Sequence, residues 1–332
     1  MNVSMAATLW NGKTVPRIGI GTWVMGGAQR WGEQSTGWSG VDDNESLATL
    51  HEAFDMGVRI IDTADQYGGG HAEEIIAQAL RDSGIDRDRF VVATKVGMVC
   101  DPATRDIVGV TDDRAAISRA IDASLRRLRL DHVDLVKFHL NGHPVEKSQG
   151  VFDAFSAAYG AGKIGGFGWS TDDVAGAMAF ADRPGFVAVQ HDLNLFKPAD
   201  AMLRAIEGGR LWSFNRQPLA MGLLSGKYHS ESVAIGSDDI RGSGATWLDY
   251  FDAEGRPSPV LLERIARVRA LLTDDGRTPA QGALGWVLAQ SDRTIPLPGC
   301  RTPAQARDNF AVLEQGPLDE RTVAEIKAIT GG

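Results

Sequence analysis

Short, nearly unbroken apolar runs recur along this chain, separated by longer stretches with apolar residues at helical spacing. The runs lie at 18–23, 59–64, 90–96, 133–139, 164–170, 186–193, 211–215 and 294–298, and they are rich in Val, Ile and Phe. Most lack polar alternation, as expected of parallel strands covered on both faces. Helical periodicity follows in the gaps. Segment 44–56 places Leu47, Leu50, Ala53 and Phe54 on one face, and 113–128 does the same with Ile117, Ile121, Leu125 and Leu128. A helix with Glu73 and Glu74 in its first turn follows the Gly68-Gly69-Gly70 loop, and further helices are predicted at 200–206, 259–272, 279–289 and 303–313, several opened by proline. Eight such βα units predict an α/β fold, a (β/α)8 TIM barrel forming a single domain over 1–332. A doubly wound open sheet is the second reading. It needs a G-x-G-x-x-G turn after the first strand, and Gly19-Ile20-Gly21-Thr22 lacks that spacing.

Two segments interrupt the rhythm, 26–43 after the first strand and 230–259 after the seventh. Both are glycine-rich and carry tryptophans: Trp31 and Trp38 in one, Trp247 in the other. Loops that follow strands cover the mouth of a barrel, so these aromatics either line an apolar substrate pocket or pack the loops down.

With 332 residues, 43% of them hydrophobic, the chain can bury a large core. Its net charge of −9 argues against nucleic acid or a membrane surface as the main partner and leaves a small molecule as the expected one. Cys100 and Cys300 are too few and too far apart for a disulfide framework, and we read both as inert thiols. No signal-like or membrane-spanning apolar run is present, so a cytoplasmic setting is expected.

The candidate chemistry sits where the apolar runs end. Asp62 closes the second strand, and Tyr67 lies five residues on. Lys95 interrupts the end of the third strand, and His139 ends the fourth. In a barrel these strands are neighbours and their C-terminal ends converge. Singly, each residue is as well explained by structure; four in order on successive strand ends are not. A nearby ammonium favours a phenolate, so Lys95 is expected to lower the pKa of Tyr67, with Asp62 holding Lys95 charged. His139 would donate to a carbonyl oxygen and Tyr67 would protonate it, which is general acid catalysis without a metal.

These four residues resemble the Asp-Tyr-Lys-His tetrad of the aldo-keto reductases, and the likeness covers nearly the whole chain. It is strongest to the bacterial and potassium-channel-β-like branch, through the run from Pro218 to Tyr228. The resemblance implies a TIM barrel that binds NADP(H), with NAD(H) as the alternative coenzyme. It implies carbonyl reduction, or the reverse, by direct hydride transfer. By the same resemblance Ser170, Thr171 and Gln190 hold the nicotinamide carboxamide. Pro218, Leu219, Gly222, Ser225 and Lys227 wrap the pyrophosphate. Gly299, Arg301, Gln305 and Asn309 hold the adenosine phosphate, with Arg301 reaching a 2′-phosphate. Gly21, Thr22, Trp23 and Asp62 complete the coenzyme set. Arg216 stands where many members stack an aromatic ring on the nicotinamide, and a guanidinium can stack there too. Trp23, Trp31, Trp38, Asn141 and Trp247 are the substrate-facing candidates. Two other functions stay open: a coenzyme-binding partner protein with slow turnover, and an aldolase using Lys95 as a Schiff base.

Overall fold

The computed structural model describes residues 5–229 and 234–330, so residues 230–233 of the second long loop lie outside the described residues. Eight parallel strands form the central sheet: β1 (Gly19–Gly21), β2 (Ile60–Asp62), β3 (Val91–Val96), β4 (Leu135–Phe138), β5 (Phe167–Ser170), β6 (Phe186–Asp192), β7 (Trp212–Arg216) and β8 (Thr294–Pro296). Each pairs with its sequence neighbour. The sheet closes on itself where Gly21 bridges Gly299 and the Gly21 amide donates to Pro298 O at 3.0 Å. Glycine is required at this seam. A Cβ on Gly19 would lie 2.7 Å from the Leu297 side chain, and one on Gly21 would lie 3.0 Å from the Leu297 carbonyl. The TIM barrel read from the periodicity is thus the observed fold, and the doubly wound alternative is not.

Most strands are shorter than the apolar runs that predict them, as where the run 59–64 continues two residues past β2. An antiparallel hairpin, Ala6–Thr8 with Thr14–Pro16, precedes the barrel and was not apparent in the pattern. Its Leu9 and Val15 pack among Ile60, Val91, Leu135, Phe214 and Ile295, which plugs the end where the strands begin. The opposite end, where strands finish, is left for polar residues. Segment 98–110 also departs from the pattern. It folds as two strands, Met98–Cys100 and Ile107–Val110, and joins Arg30–Trp31 and Gln34–Ser35 of the first long loop in a small outer sheet. Helices Gln149–Gly160, Val174–Met178 and Glu320–Thr330 were likewise absent from the sequence reading. No helix among the described residues is long and apolar enough to cross a membrane.

Candidate active site

Asp62 is the last residue of β2, and its carboxylate turns into the barrel. Lys95, one turn of pleat above Ala93 on β3, reaches it from the neighbouring strand. The Lys95 ammonium donates to Asp62 Oδ2 at 2.7 Å, to Thr63 O at 2.7 Å and to the Tyr67 hydroxyl at 3.0 Å. All three donors of a buried ammonium are therefore satisfied, which is the condition for burying one. Tyr67 comes from the βα loop, whose left-handed Gly68, Gly69 and Gly70 turn the chain into the helix His71–Asp82. A Cβ on Gly68 would fall 1.9 Å from Gly26 O, so only glycine lets this loop press against the first one. His139 follows β4 and meets Tyr67 edge to face, ring centroids 5.8 Å apart. The four sequence candidates are thus brought together.

A fifth buried polar group joins the four, and the sequence pattern did not single it out. Lys137, on β4, is fully buried and donates to Asp62 Oδ1. Gln190 Nε2 donates to Asp62 Oδ2 at 3.1 Å. The signal was available: Lys137 lies two residues before His139, and strand residues of equal parity face the same side.

Burial alone would raise the Asp62 carboxyl, but the ammonium groups of Lys137 and Lys95 outweigh it and hold it at about 2. Burial lowers the His139 imidazole well below its ordinary value, and Lys95 and Arg216 add to that, so the ring is neutral. The expected lowering of Tyr67 is not what the surroundings produce. Burial pushes its phenol above the ordinary range, Asp62 pushes the same way, and Lys95 opposes them without prevailing. Tyr67 therefore holds its proton at neutral pH. Burial also pushes the Cys100 and Cys300 thiols up to about 12, so both are protonated at neutral pH.

Aromatic rings form one wall. Trp23 stacks on Tyr67 at 6.1 Å, meets Trp38 edge-on at 5.6 Å and lies 6.3 Å from Trp247. Trp38 is buried behind it under the Arg241 guanidinium, whereas Trp247 is half exposed. Trp31 belongs to the outer sheet, beside Ile107. Asn141 is tied between loops: its amide donates to Asp172 Oδ2 at 2.8 Å, and its oxygen accepts from Thr171 and the Asp172 amide.

The remaining sequence candidates fall along the strand ends. Thr22 donates to Asp62 O by both amide and hydroxyl. Arg216, last in β7, is gripped by Asp172 at 2.5 Å and Asp192 at 3.2 Å and donates to Ser170 Oγ at 3.2 Å. After it the chain is strained. Gln217, Ala220 and Met221 are left-handed without being glycine, followed by left-handed Gly222 and Gly226. Strain of this kind persists at ligand clamps. Buried Pro218 and Leu219 anchor the segment, Ser225 Oγ donates to Gly222 O at 2.7 Å, and Lys227 is exposed. Beyond β8, Arg301 donates to Ser39 O and Gly40 O, its amide is taken by Gln305, and Asn309 donates to Cys300 Sγ at 3.2 Å. These contacts pin the first long loop to the helix Pro303–Phe310.

A nicotinamide coenzyme fits this donor set. Gln190 Oε1 is buried with no hydrogen-bond partner, an acceptor suited to a carboxamide N–H. No cluster of metal-ligating side chains occurs among the described residues.

Comparison with known proteins agrees with the geometry. The chain is 29% identical over 321 residues to the aldo-keto reductase yakc [NADP(+)] of Schizosaccharomyces pombe, covering 95% of this chain and 88% of that one. It is 26% identical over 314 residues to the NADH-specific methylglyoxal reductase of Escherichia coli, covering 90% of each. Among solved structures, the glycerol dehydrogenase AKR11B4 from Gluconobacter oxydans superposes with a TM-score of 0.81 at 26% identity, over 98% of this chain and 94% of that one. The aldo/keto reductase family model matches residues 17–330, and this chain belongs to the aldo/keto reductase family.

Proposed function

We propose that this protein is an NADP(H)-dependent oxidoreductase that reduces an aldehyde or ketone to an alcohol, or runs the reverse reaction, with Tyr67 as the proton donor. The observation that carries the reading is the bond from Lys95 to the Tyr67 hydroxyl at 3.0 Å, beside a neutral His139. The nicotinamide, when bound, supplies the hydride.

Everything else falls to the chain. Gln190, Ser170 and Thr171 hold the carboxamide, and the strained segment from Gln217 to Gly226 offers backbone amides and Ser225 to the pyrophosphate. Lys227 screens the phosphate charge from the surface. Arg301 and Gln305 stand at the start of the helix Pro303–Phe310, where an anion is favoured, and Asn309 lies in its last turn. His139 donates to the substrate oxygen and fixes it beside the Tyr67 hydroxyl. As negative charge grows on that oxygen, Tyr67 gives up its proton, and Lys95 stabilises the phenolate left behind. Trp23, Tyr67 and Trp247 shape an apolar wall that keeps water out. Trp38 supports Trp23 from behind, and Asn141 acts through the loop that carries Thr171 and Asp172.

The buried pairing of Lys95 with Asp62 and Tyr67 disfavours Schiff-base chemistry, which needs a free neutral amine. A coenzyme-binding partner protein with slow turnover is the alternative. NADPH consumption over a panel of aldehydes, with and without Tyr67, separates the two.

A further inference from the structure

The mechanism above leaves Lys137, buried beside the proposed proton donor's partners, without a task. Lys137 is wholly out of water on β4, and its ammonium donates to Asp62 Oδ1. Asp62 already has a cation on its other oxygen, Lys95 at 2.7 Å, and Lys95 bonds to Tyr67 at 3.0 Å. The four groups form one continuous chain, Lys137 to Asp62 to Lys95 to Tyr67. Burying a second ammonium beside the first costs several kcal/mol, and a methionine would fill the same space over the Phe214 ring without that cost.

We propose that Lys137 is a positioning residue that sets the acidity of Tyr67 through the carboxylate the two lysines share. This rests on Tyr67 as the proton donor of the reading above. With Lys137 protonated, Asp62 is divided between two cations and neutralises Lys95 less. Lys95 then stabilises the phenolate more, and Tyr67 is the better acid. With Lys137 neutral, Asp62 turns to Lys95 alone and Tyr67 holds its proton more tightly.

Burial brings the Lys137 ammonium down to about 7 against the pull of Asp62, with Lys95 adding to the effect. The change therefore falls near neutrality. The charged groups facing Lys137 are Asp62 on β2, Lys95 on β3, Arg216 on β7 and His139 along its own strand; Gly168 and Gln190 on β5 and β6 carry no charge. Asp62 titrates near 2, His139 well below its ordinary value and Tyr67 above its own, so none of these competes. Asp65, in the loop after β2, is raised well above the ordinary carboxylate value by burial and by Glu73, and it needs its own control.

The test is a pH titration of protein carrying a carbon-13 label at tyrosine Cζ. The chain has four tyrosines, so the Tyr67 signal is assigned by its loss in Tyr67→Phe. In the wild type the signal should inflect once near about pH 7. The inflection should vanish in Lys137→Met and persist in Asp65→Asn. No inflection in the wild type, or the same inflection in Lys137→Met, overturns the proposal. Lys137→Arg serves if the methionine variant fails to fold: its permanent cation should hold the signal at its acid-side position throughout, and an inflection there also overturns the proposal. Turnover gives a second readout. Carbonyl reduction by the wild type should slow about threefold to tenfold from about pH 6 to about pH 8. Lys137→Met should stay slow and Lys137→Arg fast across that span. Absence of any carbonyl reduction would refute the proposed function, while the label would still decide whether Lys137 and Tyr67 are coupled.

Discussion

The Lys95 ammonium donates to the Tyr67 hydroxyl at 3.0 Å, and its two other contacts, Asp62 and Thr63 O, fix where it points. Tyr67 is held above its ordinary range by burial, so under the proposed mechanism this single cation would make the phenolate accessible in the transition state. Replacing Lys95 by Met should lower kcat for carbonyl reduction by about a hundredfold or more and leave coenzyme affinity within a few-fold. Steady-state kinetics with a coenzyme titration checks both.

Asp62 is a centre of stability as well as of chemistry. It faces two buried lysines, and Asp62→Ala would leave the Lys95 ammonium without its counter-charge and force Lys137 to give up its proton. A loss of about 3–5 kcal/mol in urea unfolding at neutral pH is expected. The pH dependence has a definite sign. The folded carboxyl sits at about 2, below its unfolded value, so its contribution is present above about pH 4 and is lost as pH falls towards about 2. Over that window the wild type should lose about 2 kcal/mol more than the variant.

His139 is neutral in the folded protein because burial and the facing cations lower it well below its ordinary value. No activity limb near the usual histidine range should arise from it. His139→Ala should cut kcat/KM by about tenfold to a thousandfold through loss of a donor to the substrate oxygen. The pH profile that remains should keep its shape.

Arg301 bridges the first long loop to the helix that opens at Pro303. If it also reaches a 2′-phosphate, Arg301→Ala should weaken NADPH binding by about tenfold and NADH binding by much less. Equal losses for both coenzymes would mean that its task is only to hold the loop. Isothermal titration with each coenzyme distinguishes the outcomes.

Much of this architecture was legible in the chain. Eight apolar runs became eight barrel strands because parallel strands buried on both faces leave no polar alternation to confuse the count. Asp62, Lys95 and His139 stood out as polar residues at the ends of such runs. The parity of Lys137 with His139, two residues on, was equally visible in the sequence. What the pattern could not carry was tertiary. The hairpin that plugs the barrel is too short to show a period, and the outer sheet joins residues far apart in sequence, such as Trp31 and Ile107. The direction of the Tyr67 shift depended on weighing burial against one cation, and only the folded surroundings give the burial.

The central claim is that Tyr67 supplies the proton in a coenzyme-dependent carbonyl reduction. The most direct measurement is NADPH oxidation over a panel of aldehydes and ketones by the wild type and by Tyr67→Phe. The account predicts turnover by the wild type and a loss of about a hundredfold to ten-thousandfold in the variant, with coenzyme binding retained. Equal rates in the two proteins would contradict it.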